Sequence, residues 1–220
     1  MVKGKGFLFD LDGTLVDSLP AVERNWIKWG SERGIPAEEI LAYIHGKQAI
    51  TSLRHFMQGA TEGEILHAHE LLEQQEAEDT SDVVPLPGAI DLLSQLAALS
   101  IPWAIVTSGS LPVATARCRA AGIPEPGVLV TAEMVQRGKP EPDAYLLGAK
   151  LLLLEPEECI VVEDAPAGIL SGLTAGSHVI AVNAPDSAAR LAEVSMRLNS
   201  LEELLINKGN DGVVDVYRRH

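Results

Sequence analysis

Residues 7–16 read Phe-Leu-Phe-Asp-Leu-Asp-Gly-Thr-Leu-Val: an apolar run that ends in Asp10, skips one residue to Asp12 and breaks at Gly13-Thr14. Alternate side chains of a strand share a face, so two acids at its exit stand close and repel. That repulsion is useful where a divalent cation and a phosphoryl group bind together. One carboxylate ligates the metal and attacks phosphorus, while its neighbour trades protons with the leaving oxygen. Alone, the string also reads as a strand followed by a turn, and the rest of the chain has to decide.

Outward from this stretch, strand-like runs rich in β-branched residues occur at Gly6–Leu11, Pro102–Thr107, Val128–Thr131, Cys159–Glu163 and His178–Val182. Helical periodicity fills the gaps at Ala89–Ser100, Leu111–Ala121, Asp143–Leu154, Ala165–Ala175 and Ser187–Val194, with Gly122 and Gly176 as helix stops. Alternating βα units of this length imply a doubly wound parallel α/β sheet with helices on both faces. One segment breaks the alternation. Residues 17–83 carry no convincing strand and read as amphipathic helices at Ala21–Arg33, Glu38–Tyr43, Ile50–Met57 and Glu62–Ala77. Trp26 and Trp29, three apart, are the packed face of the first. Turn-rich, proline-stiffened stretches flank the segment at Asp17–Pro20 and Ser81–Gly88, as at domain hinges. The expected organisation is a core of residues 1–16 and 84–220 with a small all-helical insert at 17–83. The tail after Leu205 is harder to read, and Gly212–Tyr217 fits a short edge strand or a frayed end.

Composition sets the outer limits. A chain of 220 residues, 46% hydrophobic, can bury a full core, and with only 4% aromatics that core must be mostly aliphatic. The formal charge of −14 argues against nucleic acid or an anionic membrane as partner. It also means that an anionic substrate needs local positive charge. Two cysteines, Cys118 and Cys159, are too few for a disulfide framework and read as buried free thiols of a reducing compartment. The absence of a signal pattern and of an apolar stretch long enough for a membrane span points to a cytoplasmic protein. A monomer is the expected state.

Three further elements fall where a strand gives way to a loop, the edge at which open parallel sheets bind ligands. Thr107-Ser108-Gly109 closes the strand Trp103–Val106, and small residues there let backbone N–H groups approach a phosphate. Lys139 lies in Arg137-Gly138-Lys139-Pro140-Glu141-Pro142, where two prolines keep the backbone out of helix and give a cation a rigid mount. Glu163-Asp164 ends the run Val161-Val162, and adjacent acids near Asp10 and Asp12 are unfavourable unless a cation sits among them. Each element alone is ambiguous; their order and spacing across separate βα units is not.

Together the four resemble the motifs of the haloacid dehalogenase superfamily, and the helical insert is similar to that superfamily's small helical cap. The resemblance covers nearly the whole chain. It implies Asp10 as nucleophile and Asp12 as general acid and base in two-step phosphoryl transfer through an aspartyl-phosphate. It implies Mg²⁺ held by Asp10, the Asp12 main-chain carbonyl and the Glu163-Asp164 pair, with Thr107, Ser108, Gly109 and Lys139 on the phosphate. Hard oxygen donors favour Mg²⁺, and no His/Cys cluster offers an alternative. His45-Gly46-Lys47-Gln48 is the polar, glycine-kinked stretch between cap helices, so His45 and Lys47 are the candidates for substrate hydroxyls. Arg54 and His55 are weaker candidates, and His67 and His69 are read as solvated. The strings look most like those of bacterial sugar phosphatases and fungal glycerol- or deoxyglucose-phosphate phosphatases, which implies a small phosphorylated sugar or polyol. A β-phosphoglucomutase-like phosphotransferase, or a phosphatase of another small metabolite, is the alternative. Against the mutase, Val22 stands where it would need a cap histidine, and Gln48-Ala49 where it would need a cap arginine.

Overall fold

A computed structural model describes residues 1–210 and 212–219. The strands are β1 (Val2–Gly4), β2 (Gly6–Phe9), β3 (Val16–Asp17), β4 (Val84–Pro85), β5 (Trp103–Val106), β6 (Leu129–Val130), β7 (Cys159–Glu163), β8 (His178–Val182), β9 (Met196–Leu198), β10 (Leu204–Lys208) and β11 (Val214–Arg218). The helices are α1 (Leu19–Ser31), α2 (Ala37–Ile44), α3 (Ala49–Phe56), α4 (Glu62–Glu78), α5 (Ala89–Ala98), α6 (Leu111–Ala120), α7 (Asp143–Leu151) and α8 (Pro166–Thr174).

Six strands form a parallel sheet in the order β6-β5-β2-β7-β8-β9. From β2 the chain winds outward through β5 and β6, then returns to β7 on the other side and winds outward again. The strand that ends in Asp10 therefore lies at the point where the winding reverses, the place where such sheets open a crevice. Both faces are covered, so the strands are nearly continuous apolar runs. Phe7 and Phe9 join Ile105, Ile160, Val162 and the α5 leucines on one face. Leu8 joins Ala104, Val106, Val161 and the buried side of α7 and α8 on the other.

The helices α1–α4 make their own small core from Trp26, Trp29, Ile40, Ile44, Leu53, Ile65, Ala68 and Leu72. Trp26 and Trp29 meet edge to face with centroids 5.5 Å apart. The two stretches that join this helical cap to the core pair as a short antiparallel ribbon, Val16 opposite Pro85 and Asp17 opposite Val84. Thr61 and Glu64 start α4 with a reciprocal capping box.

Three sequence expectations need correction. Ser187–Val194 is not an α-helix: Arg190, at φ 60°, interrupts it, and only a 3₁₀ turn at Leu191–Glu193 forms before β9. β1 was not expected at all. The tail is neither an edge strand nor frayed, because β11 is the middle strand of an antiparallel sheet β1-β11-β10. Val214 and Val216 are fully buried there, while Asp215 between them faces the other side and is half-buried.

Candidate active site

At the floor of the crevice, Lys139 Nζ donates to Asp10 Oδ1 at 2.6 Å, to Glu163 Oε1 at 2.7 Å and to the Val106 carbonyl at 3.0 Å. Tyr145, one turn into α7, donates its hydroxyl to Glu163 Oε1 at 2.9 Å, and the Ala165 N–H reaches Glu163 Oε2 at 3.0 Å. The ends of β2, β5 and β7 and the loop before α7 thus converge on one ammonium. Glu163 is fully buried, and Gly168 is what admits it: a Cβ there would collide with the carboxylate. Burial pushes Asp10 up to about 7, with Lys139 pulling it down and Glu163 and Asp12 pushing further up. Burial works against the Lys139 charge, yet Asp10 and Glu163 more than offset it and raise its pKa.

Asp164 lies just beyond, where Thr14 Oγ1 donates to its Oδ1 at 3.2 Å. Gly13 has φ 86° and leaves no room for a Cβ beside that carboxylate, so the glycine of the opening motif serves both the turn and Asp164. Burial, with Glu163 and Asp10 nearby, raises the Asp164 pKa well above the usual carboxylate range. Asp10, Glu163 and Asp164 each offer an oxygen within 4.8 Å of the others. Three acids face one lysine, and the uncompensated charge with an all-oxygen donor set suits a hard divalent cation. Glu163 already accepts three hydrogen bonds, so its visible work is to hold Lys139.

The phosphate-loop candidates lie across from these acids. Thr107 is buried, and its Oγ1 accepts from the Gly109 N–H at 2.9 Å, curling the loop at the end of β5. Ser108 Oγ donates to the Gly46 carbonyl at 3.0 Å and so ties this loop to the cap. Asp12 faces the same space from the other side.

The chain's sequence gave no warning of what surrounds Asp12. Its Oδ1 accepts from Ser18 Oγ at 2.6 Å and from Arg117 Nη1 at 2.8 Å, and Arg117 Nη2 reaches Glu76 Oε1 at 3.2 Å. Burial raises the Glu76 pKa despite Arg117 beside it. In sequence Arg117 looks like an ordinary surface residue of α6, followed by Cys118 and Arg119, and Glu76 like one more acid on an acidic helix. Only their meeting across the cap–core joint sets them apart. Tyr145 was equally invisible.

The cap roofs a cavity of about 90 Å³ lined by Asp10, Asp12, Thr107, Ser108, Gly109 and Asp164 from the core. His45, Lys47 and Gln48 line it from above. Lys47 Nζ sits 3.4 Å from the centre of the Tyr43 ring, and His45 Nε2 is 3.3 Å from Glu23 Oε1. Partial burial lowers the Lys47 pKa. Gln48 donates to the Ala132 carbonyl at 2.9 Å, a second tie between cap and core. Two expectations change here. His69 is not simply solvated, because it lines the cavity with Glu73 and Glu76. Arg54 and His55 do not line it: Arg54 pairs with Glu62 at 2.5 Å, and His55 stacks on Tyr43 at 3.8 Å.

Comparison with known proteins agrees with this geometry. Hexitol phosphatase A of Escherichia coli (strain K12) is 64% identical over 210 residues, 96% of this chain and 97% of that protein. Validoxylamine A 7'-phosphate phosphatase of Streptomyces hygroscopicus subsp. limoneus is 33% identical, covering 90% of this chain and 94% of its own. Among solved structures, a hydrolase from Pseudomonas syringae superposes with a TM-score of 0.80 at 26% identity, over 90% of this chain and 94% of that one. Residues 5–176 match the haloacid dehalogenase-like hydrolase family model, a span that holds every element of the floor and most of the fold. The chain belongs to the haloacid dehalogenase-like hydrolases.

Proposed function

We propose that this enzyme hydrolyses the phosphate monoesters of small polyols or sugars, with acyclic hexitol phosphates foremost. One observation carries the reading: Asp10, clamped by Lys139, and Asp12, two residues on, line one cavity roofed by polar cap side chains. The 64% identity to a hexitol phosphatase supports the substrate class. In this reading residues 17–83 are the cap and residues 1–16 and 84–220 the catalytic core.

Asp10 attacks phosphorus and forms an aspartyl-phosphate as the bond to the alcohol oxygen breaks. Asp12 gives its proton to that departing oxygen. Ionised, it then takes a proton from the water that attacks phosphorus and frees Asp10. Thr107 and the Ser108 N–H bind the phosphoryl oxygens, the Gly109 N–H holds the Thr107 hydroxyl in place, and Lys139 stabilises the building charge electrostatically. Asp10 and Asp164, with the Asp12 carbonyl and Glu163 beside them, would hold Mg²⁺. The bound ion supplies further neutralisation of oxygen charge. His45 and Lys47 reach substrate hydroxyls from the roof. Val22, an aliphatic side chain lining the cavity, offers no proton carrier for mutase chemistry.

The test is phosphate release by the purified protein from a panel of alditol, aldose and glycerol phosphates, with Mg²⁺ and with EDTA. Magnesium-dependent release, highest on alditol phosphates, is the expected result. Conversion of β-glucose 1-phosphate to glucose 6-phosphate without phosphate release would overturn the reading.

A further inference from the structure

The two oxygens of Asp12 have different surroundings. Oδ1 is held from two sides, by Ser18 Oγ at 2.6 Å and by Arg117 Nη1 at 2.8 Å. Oδ2 accepts no hydrogen bond among the described residues and lies toward the phosphate loop, 3.9 Å from where a Cβ on Gly109 would stand. The free oxygen is the one that faces the reacting groups. The tethered oxygen reports to the cap by two routes. Ser18 stands where the chain leaves the core and enters α1, and Arg117 passes its second amino group to Glu76, in the last turns of α4.

This ion chain is buried: the Arg117 side chain is 4% exposed and that of Glu76 is 9% exposed. A planar guanidinium that donates to two carboxylates at once has little rotational freedom. Arg117 Nε is buried and has no partner among the described residues, so the group's bonds run to these two acids. Moving α4 away from α6 would leave Glu76 unpaired and Arg117 held at one end only, an unfavourable state for buried charges. Arg117 therefore links the closed cap to the orientation of Asp12.

We propose that Arg117 is a positioning residue, which fixes the side chain of Asp12 for proton transfer only while Glu76 of the closed cap holds its other end. The proposal rests on the phosphatase reading, and the two fail differently. Without phosphatase activity in the unaltered enzyme the reading falls; the variants below bear on the proposal alone.

Glu76→Gln, Arg117→Gln and the uncharged control Ser18→Ala are compared on an alditol phosphate and on p-nitrophenyl phosphate. The alkyl ester needs a proton on its leaving oxygen; the nitrophenolate does not. First-turnover release of p-nitrophenol isolates the step that needs no acid. For Glu76→Gln and Arg117→Gln, kcat on the alditol phosphate is expected to fall about 10-fold to 100-fold, no more than the low end of what a lost general acid costs, because Asp12 itself remains. KM and the p-nitrophenol burst rate should stay within about 3-fold of the unaltered enzyme. The double variant should be no worse than the poorer single one, because both act through one chain. Ser18→Ala should give a smaller loss of the same selective kind and guards against misfolding of the charge variants. Equal losses on both esters in all three variants would make the chain merely structural and overturn the proposal. A rise in KM for the alditol phosphate at unchanged kcat would overturn it too, by making Arg117 a group that binds substrate.

Discussion

The floor and the roof of the crevice are built on opposite plans. At the floor, Lys139 is wedged between Asp10 and Glu163, Glu163 takes three donors, and the participants come from the ends of core strands, the loop before α7 and the helix starts behind them. In the roof, Lys47 rests on a tyrosine ring and His45 leans on Glu23, both partly exposed, on a loop tied to the core by two hydrogen bonds. Buried charges at the floor cannot be rearranged one at a time without leaving another unpaired. Roof residues can be exchanged with small energetic consequences. In the proposed reading, phosphoryl chemistry belongs to the part that cannot change, and recognition of the alcohol to the part that can.

Four experiments break or sharpen this contrast. The largest effect is expected from Asp10→Asn, which should abolish phosphate release, because an amide is not a nucleophile here. The same change removes one acid from a repulsive cluster, so the metal-free variant should melt higher than the unaltered protein; a lower melting temperature would mean the cluster is not under electrostatic stress.

Lys139→Met attacks the floor from the other side. It leaves Asp10 and Glu163 without their shared cation and should cost about 3–5 kcal/mol of stability, read from the urea midpoint, along with most of the activity. Wild-type stability in this variant would show that the acids find another partner.

The third experiment uses pH. In an unfolded chain the Asp10 carboxyl ionises near 3.8, whereas burial in the metal-free fold pushes it up to about 7. Between those values the folded protein binds more protons than the unfolded one, so its stability falls as pH rises. Asp10 therefore contributes most below about 4 and least above 7. Mg²⁺ pairs with the ionised form, so the rise in melting temperature it produces should be larger at pH 8 than at pH 5, and Asp10→Asn should flatten that difference. A magnesium shift independent of pH would place the ion elsewhere.

The smallest effects belong to the roof. His45→Ala and Lys47→Ala should each weaken turnover of alditol phosphates by about 1–3 kcal/mol in kcat/KM. p-Nitrophenyl phosphate, without hydroxyls, should barely notice. A uniform drop on both would assign the loop to cap docking, in keeping with the hydrogen bond from Ser108 to Gly46.

What the sequence revealed follows the same division. The floor was legible because its residues stand at strand ends in strings with local chemical meaning: Asp10 and Asp12 two apart, Lys139 before a proline, Glu163 beside Asp164. The helical cap was legible from periodicity, since α1–α4 fell within a few residues of their expected positions. Contacts between distant elements were not. Arg117 and Glu76 meet only because α4 packs along α6, and no periodicity in either helix encodes that crossing. Tyr145 is a fully buried core residue whose hydroxyl serves Glu163, a pairing that its place in the helix does not encode. The tail misled because five residues of alternating valine are too short to say whether they sit at the edge of a sheet or in its middle. The partner that settles it, β1, lies at the other end of the chain.

That last pairing bears on how the molecule is made. Val2 lies opposite Val216, so on a ribosome β1 waits for a partner made 214 residues later. At the usual pace of translation the wait is roughly 10–40 s. Until then β10 and β1 have no strand between them, and Val2 and Ile206 lack the neighbours that bury them in the finished fold. The emergence of β11, rather than that of Asp10 and Asp12, is the moment at which a nascent chain can first become this structure.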